Sequence, residues 1–505
     1  MRVFLLSAAL LLTNFLPAQP KKDASIEDAA RRAALRSFSD LRDLLRMPND
    51  AHRPADIETN MQWCEKAFGR RGFTVSRLTG SGIPLLLAER VLRKEAPTVL
   101  IYLQIDGQPV DPSKWNQSSP WEPTLKKKGT DGRWSPIPWE SLEKGPIDPD
   151  WRIFARSTSD AKGPAMAYLA ALDALSDMKA QAAFNMKVIM DFEEELGSPH
   201  LPDAVRKHGE RLKADRLIIF DGPRHVSNQP TLTFGARGIC EVTLVTYGPR
   251  QPVHSGNYGN YAPNPAFGMA HLLASMKGRD GRVLIDGFYD GVVLTEKDKR
   301  ILAEVPDKDE DLKAFLGIAE PEKVAGSFQE AMQYPTLNVR GMQALYVGEQ
   351  ARTLIPDKAV AEIDIRLVPS SKPDLLIGML RDHVERQGYE VIEGEPGEEE
   401  RKRFPRLASM QSKCSYGAFQ TPVDSETGRW LTRSMERAFG KEPIRVPMAG
   451  GSIPIAPFVT TLGIPAVVVP TVNADNNQHA ENENIRVGNY IDAVRTFLAI
   501  LTERF

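Results

Sequence analysis

The sequence predicts an α/β fold in which a mixed sheet carries helices on both faces, with a smaller α+β domain inserted into it. Two observations lead to this prediction. Between residues 73 and 220, short apolar runs alternate with segments of helical periodicity, a pattern typical of a sheet packed between helices. From Thr231 the sequence becomes rich in glycine and β-branched residues, and the first pattern returns towards the end of the chain.

The segment before Thr231 contains the larger part of the first domain. Alanine, leucine and phenylalanine at helical spacing indicate helices over residues 25–47 and 59–71. The elements predicted after them are strands at 73–78, 85–91, 98–103, 186–192 and 216–220, and helices at 164–178 and after Leu201. Between Asp106 and Asp160 lies a long segment rich in tryptophan. It predicts an ordered flap, which either packs on the domain or contacts a substrate.

The inserted domain is predicted over residues 231–395, and the first domain is predicted to comprise residues 19–230 and 396–505. A charged run at 393–406 indicates a solvated connector between them. In chain order, these later parts are predicted to contain a helix through Met276, a strand at 359–370, helices at 374–387 and 425–439, a strand at 466–470 and a helix at 487–504.

The size and charge of the chain limit what it can bind. Its 505 residues are too many for one ordinary core, so two or three domains are expected. A net charge of −2 and a pI near 6.5 provide no basic field for nucleic acid, so small or peptidic substrates are favoured. The three cysteines, Cys64, Cys240 and Cys414, are far apart. They define no disulfide framework and exclude a Cys-x-x-Cys zinc site.

Residues 1–18 have the composition of an export signal. An arginine near the start precedes an apolar core, and the small Ala18 closes the segment. We therefore expect an exported protein, periplasmic or extracellular, that is cleaved after Ala18. Because Leu16 suits a cleavage site poorly, a retained anchor is the alternative. No later stretch approaches the roughly 20 apolar residues of a membrane span.

Three of the predicted strands are followed by acidic or amide side chains. The run at 186–192 leads into Glu193, Glu194 and Glu195, the run at 98–103 into Gln104 and Asp106, and the run at 216–220 into Asp221. Ligands of open α/β sheets bind outside the carboxyl ends of the strands, so these side chains are expected to converge there. Gathered carboxylates persist only when they are solvated or neutralised by a cation, and the pattern therefore predicts a metal site.

Six short motifs complete this pattern: QID at 104–106, STSDAKGP around Asp160, EEELGS at 193–198, FDG around Asp221, HSG at His254 and QHAEN at His479. Across essentially the whole mature chain, their order resembles the co-catalytic zinc metallopeptidase family of aminoacylase, carboxypeptidase G, carnosine dipeptidases and desuccinylases. The resemblance implies a homodimeric enzyme that hydrolyses a peptide or amide bond. Within that family, the chain most resembles the dipeptidases and carboxypeptidases. This closer resemblance implies a dipeptide, or a peptide with a free C-terminus, as the substrate.

The resemblance also implies roles for the acidic and imidazole side chains. It implies that Asp160 is the carboxylate that bridges two zinc ions. Asp221 is the implied terminal ligand of one ion, and Glu195 and His479 are the implied terminal ligands of the other. Glu194 is the implied general base, and Asp106 matches an acid that orients a metal-binding histidine. Carboxylate oxygen and imidazole nitrogen suit zinc, and such a metal activates water and polarises a carbonyl. Manganese and cobalt are alternatives.

The inserted domain carries the remaining implied site residues. In the family, a histidine in the context of His254 reaches across the homodimer and stabilises the oxyanion of the intermediate. Thr353 and Arg366 match positions that grip the substrate carboxylate, for which an arginine fork is the fitting partner. Ser452 lies in a glycine-containing loop that would meet the same carboxylate. Asn264 matches a further family position, although a helix N-cap explains it equally well.

Gln104 departs from the family, which has a ligating histidine there. Gln104 remains a candidate metal ligand, but glutamine offers only an amide oxygen, a weaker zinc ligand than imidazole. The metal expected between Gln104 and Asp221 should therefore bind less tightly or be of a harder kind. Three alternatives follow: a dinuclear enzyme with an altered site, an enzyme that works with one metal ion, or a peptide- or metal-binding protein that has lost catalysis. Ala161 also replaces a second aspartate that is common in the family, next to the retained Asp160.

Overall fold

The computed structural model describes residues 22–505, so the predicted export signal lies outside the described residues. The first segment contains helices α1 (Ala24–Leu45), α2 (Pro54–Gly69), α3 (Lys162–Asp177), α4 (Leu201–Lys207) and α5 (Gly209–Leu212). Its strands are β1 (Thr74–Leu78), β2 (Leu85–Arg90), β3 (Thr98–Gln104), β4 (Thr124–Lys128), β5 (Trp134–Pro136), β6 (Arg152–Phe154), β7 (Asn185–Asp191), β8 (Arg216–Ile219) and β9 (Thr231–Thr233).

The insert and the closing segment contain the remaining elements. The insert has strands β10 (Gly235–Ala236), β11 (Gly238–Tyr247), β12 (Val253–His254), β13 (Thr336–Gln343), β14 (Leu354–Ile355), β15 (Lys358–Leu367), β16 (Glu390–Ile392) and β17 (Leu407–Tyr416). Its helices are α6 (Ser255–Tyr258), α7 (Pro265–Met276), α8 (Glu296–Ala303), α9 (Asp309–Leu316), α10 (Phe328–Ala331), α11 (Pro373–Arg386) and α12 (Glu398–Arg403). The closing segment has β18 (Phe419–Gln420), α13 (Glu426–Phe439), β19 (Ile444–Val446), α14 (Ala456–Leu462), β20 (Ala466–Val468), β21 (Asn484–Arg486) and α15 (Val487–Thr502).

The large sheet confirms the predicted fold class. Its strand order is β1-β2-β7-β3-β8-β20-β9-β19, with β3 parallel to both β7 and β8 and β2 antiparallel to β7. Successive side chains of a strand point to opposite faces. Accordingly, Ile101 of β3 belongs to the core beneath α1, α3 and α15, while Leu100 and Tyr102 belong to the core beneath α4 and α14. The sheet is therefore covered by helices on both faces.

Local sequence explains how α1 begins and ends. Asp23 is its N-cap, because the Asp23 side chain accepts a hydrogen bond from the Ser25 N–H at 3.0 Å. At the other end, the fully buried Lys162 donates to the carbonyls of Leu44 and Met47. Leu44 lies in the last turn of α1 and Met47 lies just beyond it, so the lysine stabilises the end of α1 from the first turn of α3.

The inserted domain is built on a second sheet of order β13-β15-β11-β17-β16. Buried side chains of α7 and α11 pack against it in a separate hydrophobic core. The observed boundaries differ from the predicted ones at both ends. Strand β9 pairs in the large sheet, so the insert begins after residue 233, and β17 pairs with β11 along its length, so the insert ends after residue 416 rather than 395.

The strand register also produces a disulfide that the sequence did not reveal. Cys240 of β11 and Cys414 of β17 face each other across the ladder and are bonded, although 174 positions separate them in the chain. The third cysteine, Cys64, is buried and free. An odd number of distant cysteines gave no indication of this pairing, because it depends on the register between two strands.

The tryptophan-rich segment is ordered, as predicted. Strands β4, β5 and β6 join β21 in a four-stranded sheet of order β21-β6-β4-β5, and Trp115 and Trp139 are buried. Since β21 follows the QHAEN motif, this small sheet is anchored beside one of the predicted metal ligands. Among residues 22–505, no helix combines the length and apolar composition needed to cross a membrane.

Candidate metal centre

The structure brings six of the predicted site residues together at the carboxyl ends of the central strands. Two of them, His479 and Gln104, contact the Asp160 carboxylate directly. The His479 Nε2 atom lies 3.0 Å from Asp160 Oδ2 and 3.1 Å from Glu195 Oε2. The Gln104 amide donates from Nε2 to Asp160 Oδ1 at 2.8 Å and to Glu194 Oε2 at 3.2 Å. Asp221 is near enough for its charge to act on Glu194.

Asp160, Glu195 and His479 fit a divalent cation. Each offers one ligand atom, and these atoms lie within 4.8 Å of one another, a property that no other group of three histidine, cysteine or acidic residues shares in the described part of the chain. Two carboxylate oxygens and one imidazole nitrogen are donors that zinc accepts. Three protein ligands also leave a coordination position for water or substrate, as catalytic zinc sites require.

Asp160 is held in place by a buried ion pair that the sequence analysis missed. Glu483 is 0 % exposed, and its carboxylate pairs with Arg156 at 2.9 Å. The same carboxylate accepts hydrogen bonds from the Ser157 N–H at 2.7 Å, the Ser159 N–H at 2.8 Å and the Asp160 N–H at 3.0 Å. One side chain therefore fixes the whole turn that presents Asp160. The only signal in the sequence was an acid four positions after His479.

The loop that presents His479 is fixed by its own amides. His479 has a φ of +61°, a left-handed conformation that is unfavourable for a residue other than glycine. The side chain of Asn476 accepts from the Gln478 N–H at 2.6 Å, and its backbone carbonyl accepts from the Asn484 N–H at 2.8 Å. These bonds hold the loop in a conformation that aims the imidazole at the two carboxylates.

The gathered acids raise one another's pKa values. Burial, then the charges of Asp221 and Asp160, raises the pKa of Glu194 well above its usual value. Burial and the charge of Asp160 raise the pKa of Asp221 to about 7. Hydrogen bonds to Asp160 and Glu195 raise the pKa of His479 to about 10. Like charges at this density favour binding of a cation, which would lower the carboxyl pKa values again.

Asp106 supports the site through the backbone. It is 0 % exposed, and its Oδ2 atom accepts a hydrogen bond from the Glu195 N–H at 2.9 Å. Burial and the charge of Asp191 raise the pKa of Asp106 well above its usual value. Gln108, which the sequence analysis did not single out, donates to Glu195 Oε2 at 2.8 Å. Both residues therefore orient Glu195.

The first acid of the glutamate triplet points away from the cluster. Glu193 accepts a hydrogen bond from His200, with 2.8 Å between His200 Nδ1 and Glu193 Oε2. His200 is a partly buried partner of this acid. The chain turns directly after Glu193 into a short 3-10 helix that ends at Gly197, which has a φ of 78°. That turn separates Glu193 from Glu194 and Glu195.

The predicted substrate-binding residues form two groups. Arg366 donates to Ser452 Oγ at 2.8 Å, and Ser452 donates to the Gly238 carbonyl at 3.2 Å. His254 ends β12 and Thr353 lies directly before β14, with which β12 pairs, and the Thr353 carbonyl accepts from the Ser255 N–H at 3.0 Å. Both residues are exposed, and within residues 22–505 no hydrogen bond or ion pair joins them to the acidic cluster.

Asn264 has a structural explanation. Its side chain accepts a hydrogen bond from the Ala266 N–H at 2.9 Å and caps the N-terminus of α7. This contact satisfies a backbone donor that has no partner within the helix. The N-cap alternative therefore describes the observed role of this residue.

The two-domain fold and the ligands at the strand ends define a class, the metal-dependent hydrolases that place an acid beside their metal ligands. Residues 101–503 match the model of the peptidase family M20/M25/M40. The chain belongs to this family, which confirms the resemblance seen in the sequence, and it is therefore a metallopeptidase. The match gives no support to the alternative of a protein that has lost catalysis.

Individual relatives are similar along most of their length. The Cys-Gly metallodipeptidase dug1 of Schizosaccharomyces pombe is 25% identical over 446 residues, which cover 86% of each chain. The Beta-Ala-His dipeptidase of Mus musculus is 26% identical over 429 residues, covering 83% of this chain and 80% of its own. The M20 family metallo-carboxypeptidase Sso-CP2 from Sulfolobus solfataricus superposes with a TM-score of 0.74 at 29% identity, covering 92% of this chain and 98% of its own.

Proposed function

We propose that this chain is a zinc-dependent dipeptidase that requires a free substrate C-terminus. The observation that carries the proposal is the group of three possible metal ligands, Asp160, Glu195 and His479, with the acid Glu194 joined to it through Gln104. Arg366 and Ser452 contact each other. After burial, the charge of Glu194 raises the pKa of Tyr416 and that of Arg366 lowers it. This shared neighbour supports a substrate whose terminal carboxylate binds Arg366.

The proposed chemistry divides the work among few residues. A divalent cation held by Asp160, Glu195 and His479 would act as a Lewis acid towards the scissile carbonyl and towards water. Glu194 accepts a proton from the attacking water and delivers it to the leaving amine. Arg366 binds the terminal carboxylate and so places the scissile bond beside Glu194. The names of the dipeptidase relatives support a dipeptide as the substrate.

We also propose that the working enzyme is a homodimer in which His254 serves the partner's site. The support is that His254 is exposed and has no bond to the acidic cluster of its own chain within the described residues. Strand β13, at the edge of the second sheet, exposes Val339 and Met342 and provides an apolar surface for a second copy.

Export remains part of the proposal. The bond between Cys240 and Cys414 supports it, because disulfides form and persist mainly in oxidising compartments such as the periplasm and the extracellular space. The expected cleavage after Ala18 can be read from the N-terminal sequence of the protein purified from its natural compartment.

Hydrolysis of a dipeptide panel by the zinc-loaded protein tests the proposal. The Glu194→Gln variant should bind zinc but lose about 10²–10⁴-fold in kcat, the usual contribution of general acid–base catalysis. Glu193→Gln is the matched control, because it removes the neighbouring acid that pairs with His200. The same dipeptides with an amidated C-terminus should be poor substrates. If the wild-type protein cleaved no dipeptide, or cleaved both forms equally, the proposal would fail.

A further inference from the structure

Gln104 occupies an unusual position inside the metal centre. It ends β3, is 2 % exposed, and donates both of its contacts from the amide nitrogen. These go to Asp160 Oδ1 at 2.8 Å and to Glu194 Oε2 at 3.2 Å. Its Oε1 atom is buried and has no hydrogen-bond partner among the described residues. The side chain therefore links the carboxylate expected to bridge two ions with the implied general base.

This contact pattern disfavours a ligand role for Gln104. An amide nitrogen is a hydrogen-bond donor and has no free lone pair for a metal, so only Oε1 could coordinate one. Rotating the amide to present Oε1 would place that oxygen against two carboxylate oxygens, which are also acceptors, and would break both hydrogen bonds. Glutamine also binds zinc less well than the histidine it replaces.

The remaining ligands for a second ion are few. Asp221 forms one hydrogen bond within the described residues, to the Gly222 N–H at 2.6 Å. It does not belong to the group formed by Asp160, Glu195 and His479. Asp160 already directs Oδ2 at His479 and Oδ1 at Gln104. A second ion would thus depend on Asp221 and on an oxygen that the glutamine amide already engages.

We infer that this chain binds one divalent cation per subunit, at Asp160, Glu195 and His479, and that the Gln104 amide takes the place of a second ion. Its two N–H groups hold Asp160 and Glu194 together, as a shared cation would. Glu194 then stays oriented towards the substrate without a metal on its other side. The inference rests on the proposed metal-dependent function but concerns the number of ions, which activity alone does not report.

Zinc content per chain tests the inference. The purified dimer or monomer is saturated with Zn²⁺, dialysed, and analysed for metal by mass spectrometry, and the affinities are measured by calorimetric titration with Zn²⁺. We expect one equivalent for the wild-type protein, two for Gln104→His, and loss of the tight equivalent for His479→Ala. Two equivalents in the wild-type protein with affinities within about tenfold of each other would overturn the inference.

Asp221→Asn provides a second test, and its single-variant arm does not depend on whether Gln104→His folds. In the wild-type background this variant should keep one equivalent of zinc, and in the Gln104→His background it should reduce two equivalents to one. A loss of zinc from the single variant Asp221→Asn would contradict the inference. Peptide hydrolysis with two bound ions would refute the inference but leave the proposed function, whereas one bound ion without hydrolysis would do the reverse.

Discussion

Replacing Glu483 by glutamine tests how the structure holds Asp160. The wild-type carboxylate is fully buried and pairs with Arg156, which is itself only 3 % exposed. Glutamine keeps the shape of the side chain but removes its charge. It also turns an N–H₂ group towards donors such as the Asp160 N–H, which cannot accept from it.

The expected cost follows from the loss of one partner of a buried ion pair. Such a change leaves an uncompensated charge, here the Arg156 guanidinium, and costs about 3–5 kcal/mol. Some backbone N–H groups of the Asp160 turn also lose their hydrogen bonds to the charged Glu483 carboxylate, and each such bond is worth about 1.5–3 kcal/mol. Because these terms overlap, we expect a total loss near the upper end of 3–5 kcal/mol in the free energy of unfolding. The zinc affinity should fall by about 10–100-fold, as is usual when a residue behind a metal ligand is removed.

Urea denaturation and calorimetric zinc titration measure the two effects separately. The matched control is Glu481→Gln, two positions away, whose partly exposed carboxylate lies 3.6 Å from the exposed Lys114. A surface pair of this kind contributes at most about 1 kcal/mol, so the control should resemble the wild-type protein. If Glu483→Gln matched its control in both stability and zinc affinity, the account of the Asp160 turn would be wrong.

Three further predictions address the substrate site, the cysteines and the inserted domain. Arg366→Lys should raise the KM for dipeptides by about 10–100-fold with a smaller change in kcat, because a hydrogen bond to the terminal carboxylate is lost; a fall in kcat alone would contradict this role. Burial raises the pKa of the Cys64 thiol to about 12, so a thiol reagent at pH 8 should detect no thiol in the native protein, one after denaturation and three after reduction. Burial lowers the pKa of His383 below 6.5, so the unfolded chain binds more protons there and stability should fall as the pH drops through 6.5. The urea midpoint of His383→Gln should therefore change less between pH 7 and 5, and equal changes in both proteins would refute this.

The sequence predicted those features that depend on local patterns. The first helix was expected over residues 25–47 and is observed at Ala24–Leu45, and the strand expected at 98–103 is β3, Thr98–Gln104. Apolar periodicity determines such elements, and strand ends in a parallel sheet share one edge, so the convergence of acids there could be anticipated. One local feature was not predicted: the charged run at 393–406, expected to be a connector, contains the short helix α12.

The features that the sequence did not reveal depend on distant parts of the chain. The end of the insert and the Cys240–Cys414 bond both follow from the pairing of β11 with β17, which no short window of sequence encodes. The pair of Arg156 and Glu483 joins two loops 327 positions apart. An acid near a predicted ligand is usually solvated, so only the structure identifies Glu483 as buried.

The acidic centre is stable because several of its carboxylates each have a partner of their own. Arg156 neutralises Glu483, His479 bridges Asp160 and Glu195, and the Glu195 N–H satisfies one oxygen of Asp106. An unpaired buried charge costs several kcal/mol, so each of these partners lowers the free-energy cost of gathering the acids before any metal binds. In this arrangement a neutral amide at position 104 is informative: it donates to two acids at once and adds no charge, whereas a histidine would serve a second cation at the same place.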